Sequence, residues 1–197
     1  MGKRLFDMII AGIGLCFLFP LFLIIMVLIL LFDGGSPFFV QQRVGKKGRM
    51  FSLYKFKTMK SGLLTDKHDF SVGEISRITP FGKLLRKTKL DELPQLVNVL
   101  KGDMSLVGPR PEVKKWTLIY PEKWRVVLRV KPGITDNASI LFRHEEELLA
   151  QADSPEDTYR EVILPQKLKL YVDYVNSRTF SGDIKILLKT MKTVWTD

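Results

Sequence analysis

Cysteine is all but missing from this sequence. Cys16 stands alone among 197 residues, which excludes a disulfide framework and any cysteine-rich metal site. Histidine is nearly as scarce: His68, one of two, has no partner at metal-ligand spacing and reads as a surface residue. There is no internal repeat, no low-complexity tract and no glycine-rich nucleotide loop. Acidic residues fall short of basic ones, leaving a formal net charge of +10 that is spread along the chain. A chain with 46% hydrophobic and 26% charged residues buries enough apolar surface to fold, so a disordered chain is excluded. The basic surface admits three partners: nucleic acid, anionic lipid, or a phosphorylated small molecule. Nucleic acid is the weakest of these, because no aromatic–basic interleaving or recognition helix stands out.

Charge is missing altogether from Met8 to Phe32, where only Gly12, Gly14 and Pro20 fall outside the hydrophobic set. As one helix this run measures about 38 Å, against a bilayer hydrocarbon core of about 30 Å. It is too long for a secretory signal and no small-residue cleavage site follows it. The run is therefore a membrane segment. Basic residues favour the cytoplasmic side, and here they stand on both flanks: Lys3 and Arg4 before, Arg43, Lys46, Lys47 and Arg49 after. Pro20, near the middle, removes a backbone donor and bends a helix. The reading preferred is a re-entrant helix–break–helix over residues 1–35, broken at Pro20, that enters and leaves on the cytoplasmic face. The alternative is a kinked spanning helix, in which proline is also tolerated.

Residues 36–197 read as an α+β, mostly helical domain. Phe38 to Val44 forms a strand, Gly45-Lys46-Lys47-Gly48 a turn, and Arg49 to Met59 a second strand, together a small β-hairpin. Ser61 to Gly73 is a polar connection. A basic helix runs from Thr79 to Lys89, and another follows Pro94, with Leu96, Val97 and Leu100 at helical spacing. Leu106 to Pro111 must be extended, since each residue before a proline avoids helical angles. Short helices are expected at Glu112–Ile119, Pro121–Val130 and Glu145–Gln151. A longer one at Thr158–Asn176 is bent or broken by Pro165. The last helix carries Ile184, Leu187, Leu188, Met191, Val194 and Trp195 on one face, beside Lys185, Lys189 and Lys192. Core packing is the plainer reading of that stripe. An amphipathic helix lying in an anionic membrane interface is the other.

The adjacent carboxylates Asp91 and Glu92 stand at an expected helix N-terminus, where the helix dipole and free amides keep at least Asp91 ionised. An ionised carboxylate attacks phosphorus, and it also holds Mg²⁺, a hard cation suited to carboxylate and phosphate oxygens. Ordinary helix capping is the bland alternative. Arg86, Lys87 and Lys89 crowd the same stretch. Arg110 is fixed between two prolines, and Arg143 follows the Lys131-Pro132-Gly133-Ile134-Thr135 turn. The arginine fork pairs two phosphate oxygens at once. Together these point to phosphoryl transfer to or from a lipid phosphate.

Two long blocks add a resemblance. One is Gln41-Gln42-Arg43-Val44-Gly45 with Gly48, Phe51 and Tyr54-Lys55-Phe56-Lys57-Thr58-Met59. The other runs from Arg86 to Pro111 and includes Asp91-Glu92-Leu93-Pro94-Gln95 and Gly108-Pro109-Arg110-Pro111. With Lys3-Arg4-Leu5-Phe6-Asp7 ahead of an apolar run that holds a mid-run proline, nearly the whole chain resembles the bacterial sugar transferases, or monotopic phosphoglycosyl transferases, in their small form.

The resemblance implies a re-entrant membrane helix, an active site on the cytosolic face of the bacterial inner membrane, and Mg²⁺ held by Asp91. It implies a UDP-sugar donor and a polyprenyl phosphate acceptor, usually undecaprenyl phosphate. Asp91 matches the nucleophile that expels UMP and holds a phosphosugar covalently. Glu92 matches its dyad partner, and Arg86, Arg110 and Arg143 match arginines placed around the phosphates. Lys57 stands where many relatives have Arg, a change that keeps the charge. After Thr135 the sequence departs from the pattern of many members, Asp136 to His144 replacing a Gly-aromatic-Ala-Gln-Val-Asn-Gly-Arg run, which leaves the sugar open. A homodimer also stays open. Two rival functions remain. One is a non-catalytic membrane-anchored module that binds anionic lipid or assembles a glycan machine. The other is a glycosyltransferase that would release UDP rather than UMP.

Overall fold

The structure is a computed structural model and describes residues 2–32, 35–60 and 77–195. Helix α1 (Gly2–Phe32) is followed by the antiparallel hairpin β1 (Phe38–Val44) and β2 (Met50–Phe56). Then come α2 (Pro80–Lys87), α3 (Gln95–Lys101), the short strand β3 (Ser105–Val107), α4 (Lys114–Thr117) and α5 (Pro121–Val127). The chain closes with β4 (Gly133–Thr135), α6 (Asn137–Leu141), α7 (Glu145–Ala150), α8 (Pro155–Thr158), α9 (Leu164–Ser177) and α10 (Phe180–Trp195). This is the mostly helical α+β architecture that the periodicities predict. The expected connection at 61–73, with His68, lies outside the described residues.

Helix α1 does not stop at Pro20, as a helix–break–helix would. Proline forfeits the hydrogen bond its nitrogen would give to the Cys16 carbonyl and its ring crowds that carbonyl, a cost of about 3 kcal/mol that the helix bears without stopping. Both halves of α1 pack on the rest of the protein. Ala11 joins the cluster of Leu53, Val99, Met104 and Leu106, while Phe22, Ile25 and Ile29 pack with Phe56 and Leu85. The opposite side is bare: Phe17 is 82% exposed, and Ile9, Ile13, Ile24 and Leu31 are exposed with it. A basic domain does not leave such a patch to water.

Local chemistry explains the ends of the other elements. Thr79 caps α2 by accepting from the Gly82 amide at 2.9 Å, with Pro80 in the first helical turn. Proline 165 does not break its helix either. A π-helical stretch, Tyr159–Ile163, joins α8 to α9 just ahead of Pro165, and its wider turn accommodates the proline within a continuous helix.

The parallel pair of β3 and β4 is absent from the sequence reading. Its strands are three residues each, too short for any period to show. Gly108 and Gly133 let the two chains meet: a Cβ on Gly133 would lie 2.1 Å from the Gly108 nitrogen. The stripe on α10 divides. Of its residues Leu187 packs on the core, next to Ile186 and Asp183, which are buried but lie outside the stripe, whereas Leu188 and Met191 are each 61% exposed beside Lys185, Lys189 and Lys192. Core packing thus accounts for one edge of the stripe only.

Candidate active site

Strand β2 supplies a lysine from its inner face. Phe51 and Leu53 are buried, and the pleat places Lys55, two residues on, on the same side. Its Nζ lies 2.9 Å from Glu92 Oε1 and 3.9 Å from Asp91 Oδ2. The carboxylate pair stands in a 3₁₀ turn, Leu90–Glu92, entered through Lys89 at φ 57°. Helix α3 begins only at Gln95, so the pair precedes the helix instead of forming its first turn. Asn98 fixes α3 to the free edge of β2: its Oδ1 accepts from the Tyr54 amide at 3.1 Å, and its Nδ2 donates to Ser52 O at 2.7 Å. That side-chain bridge sets the dyad over Lys55.

Arg110 arrives from β3. Its strap is held on both sides, with the Gly133 amide donating to Pro109 O at 3.0 Å and the Val44 amide to Glu112 O at 2.9 Å. Arg110 Nη1 donates to Glu92 Oε2 at 3.0 Å and Nη2 donates to Oε1, a two-pronged pairing. Arg43 stands behind it, bonded to Glu112 at 3.2 Å and Gln41 at 2.6 Å. Arg43, Lys55, Arg110 and Gln95 line a narrow cleft beside Leu53 and Pro111.

The two carboxylates titrate in opposite directions. Burial works against charge on Glu92, but Arg110 and Lys55 outweigh it and hold its carboxyl well below the ordinary range. Asp91 goes the other way. Burial pushes its carboxyl up, Glu92 adds to the push, and Lys55 is the leading cation that opposes it. Proximity to a helix dipole does not govern this group, because burial counts for more than a three-residue turn can offset. Asp91 Oδ1 is buried and, among the described residues, accepts no hydrogen bond. Glu92 is saturated with donors, whereas Asp91 retains an oxygen for chemistry.

The other expected site residues are engaged elsewhere. Arg86 donates from Nε to Thr58 Oγ1 at 2.9 Å and from Nη1 to both carboxylate oxygens of Glu146 at 2.8 Å. Arg143 bonds to His144 and, at 3.5 Å, to Thr193 O. The Lys57 amide donates to Pro37 O at 2.9 Å, and its Nζ lies near Gly35. Sequence reasoning missed Lys55 and Asn98. The parity of Phe51, Leu53 and Lys55 would have found the first, since a lysine on an inward face needs a buried anion.

A buried carboxylate with a free oxygen, a second one pinned by two cations, and a proline-stiffened arginine define a site for phosphoryl chemistry beside an exposed apolar helix. The family model for bacterial sugar transferases matches residues 1–197, and the chain belongs to that family of transferases. It is 40% identical over 196 residues to the uncharacterized sugar transferase EpsL of Bacillus subtilis, covering 98% of this chain and 86% of EpsL. It is 33% identical to the exopolysaccharide production protein ExoY of Rhizobium meliloti, across 98% of this chain and 85% of that protein. The undecaprenyl-phosphate galactose phosphotransferase of Salmonella typhimurium is 36% identical over 98% of this chain, which spans 40% of that longer protein.

Proposed function

We propose that this transferase moves a phosphosugar from a UDP-sugar to a polyprenyl phosphate such as undecaprenyl phosphate, at the cytoplasmic face of the bacterial inner membrane. The observation that carries the reading is the division of labour in the dyad: Asp91 keeps a buried, unbonded oxygen, while Glu92 is fixed and ionised by Lys55 and Arg110. In the first step an Asp91 carboxylate oxygen attacks the β-phosphorus. An oxygen–phosphorus bond forms, the bond from that phosphorus to the bridging oxygen breaks, and UMP leaves with the electron pair. In the second step a phosphate oxygen of the lipid attacks the same phosphorus and frees the Asp91 carboxylate. The covalent stage lets the soluble and the embedded substrate arrive in turn.

Arg110 is positioned to orient Glu92 and to face phosphate charge, and Lys55 offsets the cost of ionising Asp91. Arg86, Arg143 and Lys57 would complete the phosphate contacts once substrate draws them from their present partners. Among the described residues no three acidic, histidine or cysteine side chains gather as a metal cage. Magnesium needs only one or two carboxylates when substrate phosphates share it, and the unbonded oxygen of Asp91 fits that requirement. Asp91 would hold the ion, which when bound neutralises diphosphate charge.

The packing of both halves of α1 on one body supports a helix that enters and leaves on the same face, unbroken at Pro20. In a spanning helix one end would stand a bilayer's width, about 30 Å, from the domain. The exposed apolar and lysine-bearing side of α10 suits the same interface.

Membrane-embedded protein given a UDP-sugar and Mg²⁺ without acceptor should release one UMP per active site and carry a phosphosugar on Asp91, read by mass spectrometry. Release of UDP would favour a glycosyltransferase. Binding of lipid with no nucleotide release in any donor would favour a non-catalytic anchored module.

A further inference from the structure

The Lys3-Arg4-Leu5-Phe6-Asp7 stretch grips the protein's interior from the first two turns of α1. Arg4 Nη1 donates to Val99 O at 2.6 Å and Nη2 to Leu100 O at 3.1 Å, so a cation seats on the last carbonyls of α3. Asp7, 3% exposed, accepts from Ser105 Oγ at 2.8 Å and from the Leu106 amide at 3.4 Å. Lys3 Nζ reaches Asp183 Oδ2 at 2.6 Å and Val107 O at 3.3 Å. Tyr174 closes the ring, its hydroxyl lying 2.8 Å from Asp183 Oδ1 and 3.1 Å from Val107 O. One helix end thus holds the far end of α3 and every residue of β3.

These two elements carry the site. Successive backbone bonds, Leu93 to Leu90 at 3.2 Å, Leu96 to Leu93 at 3.0 Å and Val97 to Pro94 at 3.0 Å, join α3 to the turn that bears Asp91 and Glu92. Strand β3 runs directly into Gly108-Pro109-Arg110, where the prolines leave little slack. The spacing between α3 and β3 therefore sets where Arg110 stands relative to Glu92.

We propose that Arg4 and Asp7 are positioning residues for the transfer reaction. They lock α3 against β3, keep the Arg110 fork on Glu92, and couple the seating of the apolar helix to the geometry of the site. This inference rests on the phosphoryl-transfer reading of that site. Neither residue touches the reacting atoms; each acts through the backbone it holds.

The test uses the full chain in lipid nanodiscs, with Arg4→Met and Asp7→Ala set against the conservative Arg4→Lys and Asp7→Asn. A shift of about 1 Å in a catalytic group costs up to about 10²-fold in rate. Arg4→Met and Asp7→Ala should accordingly lower kcat by about 10- to 100-fold with donor KM within about threefold, the signature of lost transition-state alignment. Arg4→Lys still offers a cation to the α3 carbonyls, and Asp7→Asn still offers an acceptor to Ser105, so both should recover most of kcat. Amide hydrogen exchange should quicken at 95–101 and 105–107 but not in α5 and α9. Unchanged kcat despite quicker exchange in α3 and β3 overturns the proposal. So does a kcat loss that only tracks a general quickening across α5 and α9. If wild-type protein releases no UMP with any UDP-sugar, the functional reading fails by itself. The exchange arm still decides the clamp: unchanged exchange in the variants removes it, and quickening confined to α3 and β3 supports it.

Discussion

Replacing Lys55 with methionine isolates the electrostatic argument at the dyad. The substitution keeps most of the aliphatic stem and removes one charge. Lys55 Nζ lies 3.9 Å from Asp91 Oδ2, and the side chains are 21% and 8% exposed, so the pair is largely shielded from water. With an effective dielectric near 20, two unit charges at that distance attract by about 4 kcal/mol. Losing all of it would lower the ratio of ionised to protonated carboxylate by about 10³-fold, a ceiling because removing the lysine also abolishes its own burial cost. Asp91 is already pushed up by burial, so the loss moves it further in the same direction. A protonated Asp91 cannot attack phosphorus. The acid limb of the kcat/KM profile should therefore move to higher pH, with activity returning as pH rises, while Lys55→Arg keeps the limb near its original place. The assay is UMP release across a pH series in nanodiscs. An unmoved limb in Lys55→Met, with wild-type turnover at pH 6, would refute the claim that this lysine keeps Asp91 ionised.

Asp91→Asn should abolish UMP release and the covalent adduct yet raise the melting temperature at pH 7. A raised folded-state pKa means that the charged form costs stability above that pKa, so the gain should disappear in melts below the group's ordinary 3.8. For Glu92 the sign reverses: its stabilisation is complete above 4.5 and is lost as pH falls through its depressed folded value, which Glu92→Gln should abolish in the same melts. Glu146→Gln should leave stability within about 1 kcal/mol, since Glu146 is 55% exposed, while freeing Arg86 and lowering donor KM; an unchanged KM would remove Arg86 from the phosphate contacts. Gly133→Ala should cost about 1–3 kcal/mol or more in denaturant melts, because the added carbon meets backbone at 2.1 Å and the strands must part. A variant with wild-type stability would show that this contact is slack.

Much of the architecture follows from local chemistry. The run from Met8 to Phe32 is apolar whatever surrounds it, and the β-hairpin follows from strand residues around a Gly-Lys-Lys-Gly turn. The Thr79-Pro80 cap and the stiff Pro-Arg-Pro strap were equally legible, being properties of one or two residues and their angles. The carboxylate pair stood out for the same reason. Its ionisation did not, because the dipole argument weighs a local effect and burial is a property of the whole packed interior.

Tertiary structure alone decided which partners these groups found. That Lys55 meets Glu92, that Asn98 ties a helix to a strand edge, and that β3 pairs with β4 all depend on segments tens of residues apart. Burial on one edge of α10 and exposure on the other depends on where the core ends. The same holds for Lys3 and Arg4, which by sequence are a basic flank and in the folded chain bind carbonyls about a hundred positions away. Sequence dictates angle, period and charge; only closure of the chain brings distant charges within a few ångströms in a medium that screens them poorly, and that proximity makes an ordinary acidic pair into a site for chemistry.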